Sequence, residues 1–97
     1  MKNLCIENVL WHSNQFSYTD QEKSVFQSYN SICAIIDYAS RSVTLGSDWN
    51  YSKTTRKHLY AFFMDHGLHD LCNIDAVRDA IKNGKIWDFT LSVDYSL

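Results

Sequence analysis

The feature that most constrains this chain lies near its C-terminus. Trp87, Phe89, Leu91, Val93 and Tyr95 alternate with Asp88, Thr90, Ser92 and Asp94. A period of two sends apolar side chains to one face of an extended strand and polar ones to the other. Residues 87–95 therefore read as a β-strand with one buried and one wet face.

The rest of the chain supplies partners for such a strand. Residues 4–11 (LCIENVLW) are short, rich in aliphatics and ended by His12-Ser13-Asn14, which reads as a first strand. Residues 13–24 are polar and turn-like, with Phe16 and Tyr18 as isolated anchors, and read as an irregular arm. Residues 25–37 (VFQSYNSICAIID) contain the clearest strand core, with Ile32, Ala34 and Ile36 on one face and Cys33 and Ile35 on the other, apolar on both and so central in its sheet. Tyr38 to Arg41 make a turn, and Ser42 to Leu45 return as a hairpin strand.

Two helices follow. Ser52 is an N-cap, Gly67 a stop, and Leu59, Phe62, Phe63 and His66 fall at i, i+3, i+4 and i+7 between them. Asn73 caps a second helix over 74–83, closed by Gly84, with Val77, Ala80 and Ile81 on its apolar face. The expected fold is α+β, an antiparallel sheet of about four strands with both helices on one face, in the order β-β-β-α-α-β. With 97 residues and no Gly/Ser-rich linker, residues 1–97 are expected to form a single domain.

Composition excludes several classes. The chain is 45% hydrophobic and 14% aromatic with no Pro, which is neither disordered nor collagen-like. No apolar run approaches the ~20 residues that span a bilayer, and no signal peptide is apparent, so a membrane role is not expected. Three cysteines without CxxC spacing suggest a reducing compartment, and a cytoplasmic location is expected. The net charge is −2, but it is segregated. Arg41, Lys53, Arg56 and Lys57 face only Asp48 across residues 41–57, whereas Asp65, Asp70, Asp75 and Asp79 face only Arg78 across 65–79. A dipolar surface of this kind bears on docking more than on folding.

Candidate chemistry is sparse. Asp65-His66-Gly67-Leu68-His69-Asp70-Leu71-Cys72 holds metal-ligand types, but a structural zinc site needs four ligands, usually in two separated pairs. Capping and solvation explain the cluster as well, so no metal is assigned. Cys33 falls inside a strand, where a thiol is an inert small hydrophobe. No nucleophile elbow, P-loop, dinucleotide fingerprint or HExxH occurs, and no catalytic residue or cofactor is expected. The chain does not read as an enzyme.

Binding features are better defined. Lys53, Arg56 and Lys57 occupy the first turns of a helix, where cations oppose the dipole by a few tenths of a kcal/mol. That arrangement works against local stability and suits an anionic partner, although a solvated face explains it too. Trp49 and Tyr51 flank this basic start and are the preferred aromatic anchors. Asp70, Asp75 and Asp79 form an acidic counterpart that could face a basic channel.

The stretch Ser28 to Asp37 (SYNSICAIID), then Val43-Thr44-Leu45, then Trp49 to Phe62 (WNYSKTTRKHLYAF) resembles a group of small proteins of phages and mobile elements, mostly from Gram-positive hosts. Their pattern is roughly SYxSxxAxID, a short apolar strand, and WxYSxTTxKHLxxF. By analogy of class with anti-CRISPR proteins, the resemblance implies a non-enzymatic inhibitor in the bacterial host cytoplasm. It would bind a host immune protein, a CRISPR effector nuclease first among them, and block it sterically. The alternative is a small nucleic-acid-binding accessory or regulatory protein using residues 53–57. Either could be a homodimer through an exposed edge strand.

Overall fold

In a computed structural model, residues 5–11 and 13–97 are described, with the side chain of Trp11 excepted. The strands are β1 (Cys5–Asn8), β2 (Gln15–Thr19), β3 (Lys23–Ser28), β4 (Ser31–Asp37), β5 (Ser42–Gly46), β6 (Lys85–Ile86) and β7 (Phe89–Asp94). A 3-10 turn, Val9–Trp11, follows β1, and helices α1 (Lys53–Asp65) and α2 (Ile74–Asn83) lie between β5 and β6. One seven-stranded sheet runs in the order β1-β2-β3-β4-β5-β7-β6.

The α+β character and the two helices stand, but the sheet corrects the expectation of about four antiparallel strands. It is mixed: β5 pairs with β7 in parallel, Val43 opposite Leu91, while the other pairings are antiparallel. Three local events account for the extra strands. The polar arm is β2 and the start of β3, joined by a turn in which the Asp20 carboxylate accepts from the backbone N–H groups of Glu22 and Lys23. Residues 25–37 divide into β3 and β4 at Tyr29-Asn30, with Tyr29 at φ 53. The C-terminal alternation breaks at Trp87, also at positive φ (55), which separates β6 from β7.

The helices form as their caps dictate. Ser52 Oγ accepts from the Thr55 N–H at 3.1 Å, and Asn73 Oδ1 accepts from the Ala76 N–H at 2.8 Å. Gly84, at φ 74, closes α2 in the left-handed conformation that glycine adopts without penalty. Among the described residues no helix is long and apolar enough to cross a membrane.

Both helices pack on the same face of the sheet. Phe26, Ile36, Val43, Leu45 and Leu91 meet Leu59, Phe62 and Phe63 of α1 and Val77 and Ala80 of α2 in one core. The Phe26 and Phe62 rings stack with centroids 5.7 Å apart, a pairing worth about 0.5–1.5 kcal/mol beyond their burial. Cys33 is also buried here, at a bulge where the β3–β4 register shifts after Phe26.

Among the described residues no helix lies over the opposite face. Its side chains follow from the register: Ile6, Tyr18, Val25, Ile35, Thr44 and Ser92 form one row across five strand pairings. Asn8, Phe16, Gln27 and Ile32 form the next row.

Candidate binding surfaces

Three surfaces emerge, and they divide the residues singled out from the sequence.

The first is the helix-free sheet face. Ile6 is 56% exposed, and Phe16, Tyr18, Val25, Ile32 and Ile35 are half-buried. Phe16 and Tyr18 stack at 6.1 Å, and the Tyr18 hydroxyl donates to Gln27 Oε1 at 3.0 Å, so the centre of this face is braced. The Lys23–Asp37 ion pair lies at one margin. A contiguous apolar surface of this kind is a usual mark of an interaction site. Of these residues the sequence marks Phe16 and Tyr18 as isolated anchors, but it does not mark this face as a binding surface. Their signal was present in β2, where the apolar residues Phe16 and Tyr18 alternate with polar Gln15, Ser17 and Thr19.

The second surface is the basic start of α1. Lys53, Arg56 and Lys57 share a shallow depression with Tyr60, Ala61, Met64, Asn73 and Ile74. The helix has no acidic residue in its first turn. Arg56 donates to Asn50 Oδ1 at 2.7 Å, and no carboxylate pairs with the three cations among the described residues. The Tyr60 hydroxyl, at the edge of this depression, is pushed up in pKa by burial. The fold thus brings Lys53, Arg56 and Lys57 together as one patch.

The third is a pocket of about 610 Å³ between the β3–β4 turn and the start of α1. Tyr51 stands at its rim, 78% exposed. Gln15, Ser28, Ser31, Asp48, Ser52 and Thr55 also line it. Ser31 Oγ donates to the Asp48 carboxylate at 2.7 Å. Gln15 is fully buried, yet neither its Oε1 nor its Nε2 has a hydrogen-bond partner among the described residues. Each unpaired buried amide atom costs about 1–3 kcal/mol.

Other predicted site residues fall elsewhere. Trp49 is only 8% exposed and belongs to the core, which removes it as a surface anchor. Its place is set by the turn after β5, where its N–H bonds to the Gly46 carbonyl at 3.1 Å. Asp75 and Asp79 lie one turn apart on the exposed side of α2, with Asp75 in the first turn, where the dipole favours a carboxylate. Asp70 lies before α2 rather than on it, and accepts from the Trp87 indole N–H at 2.7 Å. The acidic residues therefore do not act as one helix stripe with Asp70 as its head.

The cluster at 65–72 is likewise dispersed. His66 Nδ1 bonds to the Phe62 carbonyl at 2.8 Å and Nε2 to the Thr19 hydroxyl at 3.0 Å, so its ring ties α1 to β2. Burial pushes the Cys33 thiol up to about 11, which keeps it protonated and unreactive at neutral pH.

These surfaces define a class: a small α+β protein whose mixed sheet is covered by helices on one side and open on the other. Residues 2–78 match the model of DUF8033, a family of unknown function, and the chain belongs to that family. The match reaches into α2 and leaves β6 and β7 beyond it. No curated protein and no solved structure matches the chain.

Proposed function

We propose that this chain is a non-enzymatic binding protein of phage or mobile-element origin that blocks a bacterial CRISPR effector nuclease by docking on it. The observation that carries the reading is the helix-free sheet face with its apolar row Ile6, Tyr18, Val25 and Ile35. Burying that row against a partner gains the hydrophobic contribution that folding leaves unused, about 25 cal/mol per Å² of apolar area. Charges on the margins and helices, including Lys53, Arg56, Lys57, Asp75 and Asp79, steer the encounter and set its orientation. The analogy with anti-CRISPR proteins supplies the kind of partner; the motif residues Leu59 and Phe62 are core residues and serve the fold.

The test is a DNA-cleavage assay with a purified CRISPR effector from a Gram-positive host. Stoichiometric inhibition is expected, with loss of inhibition in Val25→Lys and Ile35→Lys. Full cleavage at saturating protein sinks the reading. A concentration-dependent dimer in sedimentation, abolished by Ile35→Lys, reassigns the face to a second copy of the chain.

A second reading has its own observation, the depression that gathers Lys53, Arg56 and Lys57, none of them in an ion pair among the described residues. It is a small nucleic-acid-binding accessory or regulatory protein. Three phosphate contacts predict that log K falls against log salt with a slope of about −2 to −3.

A further inference from the structure

We propose that the pocket between the β3–β4 turn and the start of α1 binds a nucleoside, with the Gln15 carboxamide reading the edge of the base and Tyr51 covering its ring. The site lies on the helix-covered side of the sheet, so the inference stands apart from the docking face.

The argument begins with Gln15. It is 0% exposed, it lines the pocket, and both its amide oxygen and its amide nitrogen lack partners among the described residues. Buried polar side chains in native proteins are nearly always satisfied, so an orphaned carboxamide behind the pocket wall gains its partners by turning toward a group from outside the chain. What it can accept is restricted. A carboxamide holds an acceptor and two donors in one plane, and its complement is a donor and an acceptor side by side in the same plane. The edge of a nucleobase has that arrangement, which is why glutamine pairs with adenine through two hydrogen bonds.

The surroundings fit the rest of a nucleoside. Gln15 pairs across the sheet with Ser28, so a small residue stands beside it. Ser28, Ser31, Ser52, Thr54 and Thr55 line the walls; Ser31 already donates to Asp48, and Ser52 and Thr55 bond to each other at the helix cap, so Ser28 and Thr54 are the hydroxyl residues best placed to meet a ligand. Tyr51, 78% exposed at the rim, offers a π-face of the kind on which bases stack. The Asp48 carboxylate lines the same space and disfavours an anion within it, but it accepts readily from sugar hydroxyls. The ligand is therefore the uncharged nucleoside, with any phosphate left outside.

The test is calorimetric titration of the full chain with adenosine, guanosine, cytidine and uridine, with ribose as the reference. At least one nucleoside is expected to bind and ribose is not. Gln15→Met keeps the length of the side chain and removes the polar pair, so a loss of affinity of about tenfold or more is expected. Its melting temperature should equal or exceed that of the parent, because removing an unsatisfied pair is neutral or stabilising. Tyr51→Ala changes an exposed residue and tests the same site without touching the core; about fivefold weaker binding is expected. The proposal is overturned if no nucleoside binds more than ribose does. It is equally overturned if Gln15→Met binds as the parent does, or if Gln15→Met melts well below the parent, which would make the amide a structural group satisfied within the fold.

Discussion

Gly46 passes so close to Ile32 that a Cβ added at position 46 would overlap the Ile32 carbonyl oxygen and stand 3.1 Å from its carbonyl carbon. The neighbour is backbone at the edge of the β4 bulge and cannot swing aside. The β4–β5 ladder pairs Ala34 with Leu45, and Gly46 is the next residue, just where the bulge brings the two chains together. Gly46→Ala is expected to cost about 3 kcal/mol or more, by forcing backbone apart in a packed region. At roughly 4–8 °C per kcal/mol for a domain this size, the melting temperature should fall by at least about 12 °C. A drop below a few degrees would show that the bulge relaxes.

Ser52 holds the first turn of α1 through the Thr55 N–H. Ser52→Ala leaves that donor unsatisfied and should cost about 1 kcal/mol in chemical denaturation. Ser52→Gly should cost only a few tenths. Equal losses in the two variants would mean that the hydroxyl matters for another reason, such as its place in the pocket wall.

The three thiols should separate by reactivity. Cys72 and Cys5 are exposed, but a hydrogen bond to Glu7 and its charge push the Cys5 thiol upward, so Cys72 should react first with a disulfide reagent near pH 8. Cys33 should react only on unfolding. Burial holds its pKa at about 11 against an ordinary 9.0, so folding favours the protonated thiol. That contribution to stability is fully present below pH 9 and is lost as the pH rises toward 11. Cys33→Ser should flatten this alkaline decline, and an unchanged decline would assign it to other groups.

The Arg41–Asp88 ion pair bridges the β4–β5 turn and the β6–β7 turn in the open, with both side chains mostly exposed. Arg41→Ala should change stability by less than about 1 kcal/mol, and the difference should shrink further at high salt. A larger loss would mean that the substitution disturbs the left-handed backbone at Arg41 (φ 52), whose carbonyl accepts from the Thr90 N–H at 2.9 Å and helps to seat β7.

How far the fold was legible depended on whether local signals agreed with the side of the sheet that is covered. Both helices could be read because Ser52, Asn73 and Gly84 mark their ends and the apolar spacing points inward. The β4–β5 hairpin could be read because Asp37, whose carboxylate accepts from Ala39 and Ser40, ends an aliphatic run. β2 could not, because its alternation is inverted: Gln15 and Ser17 face the helix side and Phe16 and Tyr18 the open side. The β3–β4 turn was hidden for a different reason. It places Tyr29, not glycine, at positive φ, so nothing in the residues 25–37 marked a break. Parallel pairing of β5 with β7 is a long-range choice that no local pattern encodes.

The candidate sites show the same division. The cations of α1 were legible as a group because helical spacing brings Lys53, Arg56 and Lys57 together. Trp49 misled because an aromatic beside a basic run reads as an anchor, whereas the turn after β5 folds it inward. Gln15 gave no signal at all, since its importance arises only once β2 lies beneath the helix layer.

The position of β7 has a consequence for how the chain assembles. The first five strands form a meander of neighbours in sequence, each able to pair as soon as the next has been made. β7 instead adds beside β5 only after both helices have been laid down, and it carries β6 with it at the rim. During synthesis the hydrogen-bonding edge of β5 is therefore exposed until the last strand leaves the ribosome. Folding should show a fast phase for the hairpin ladder and a slower closing step for the parallel zipper, and the interval between them is when this chain is most open to pairing with the wrong strand.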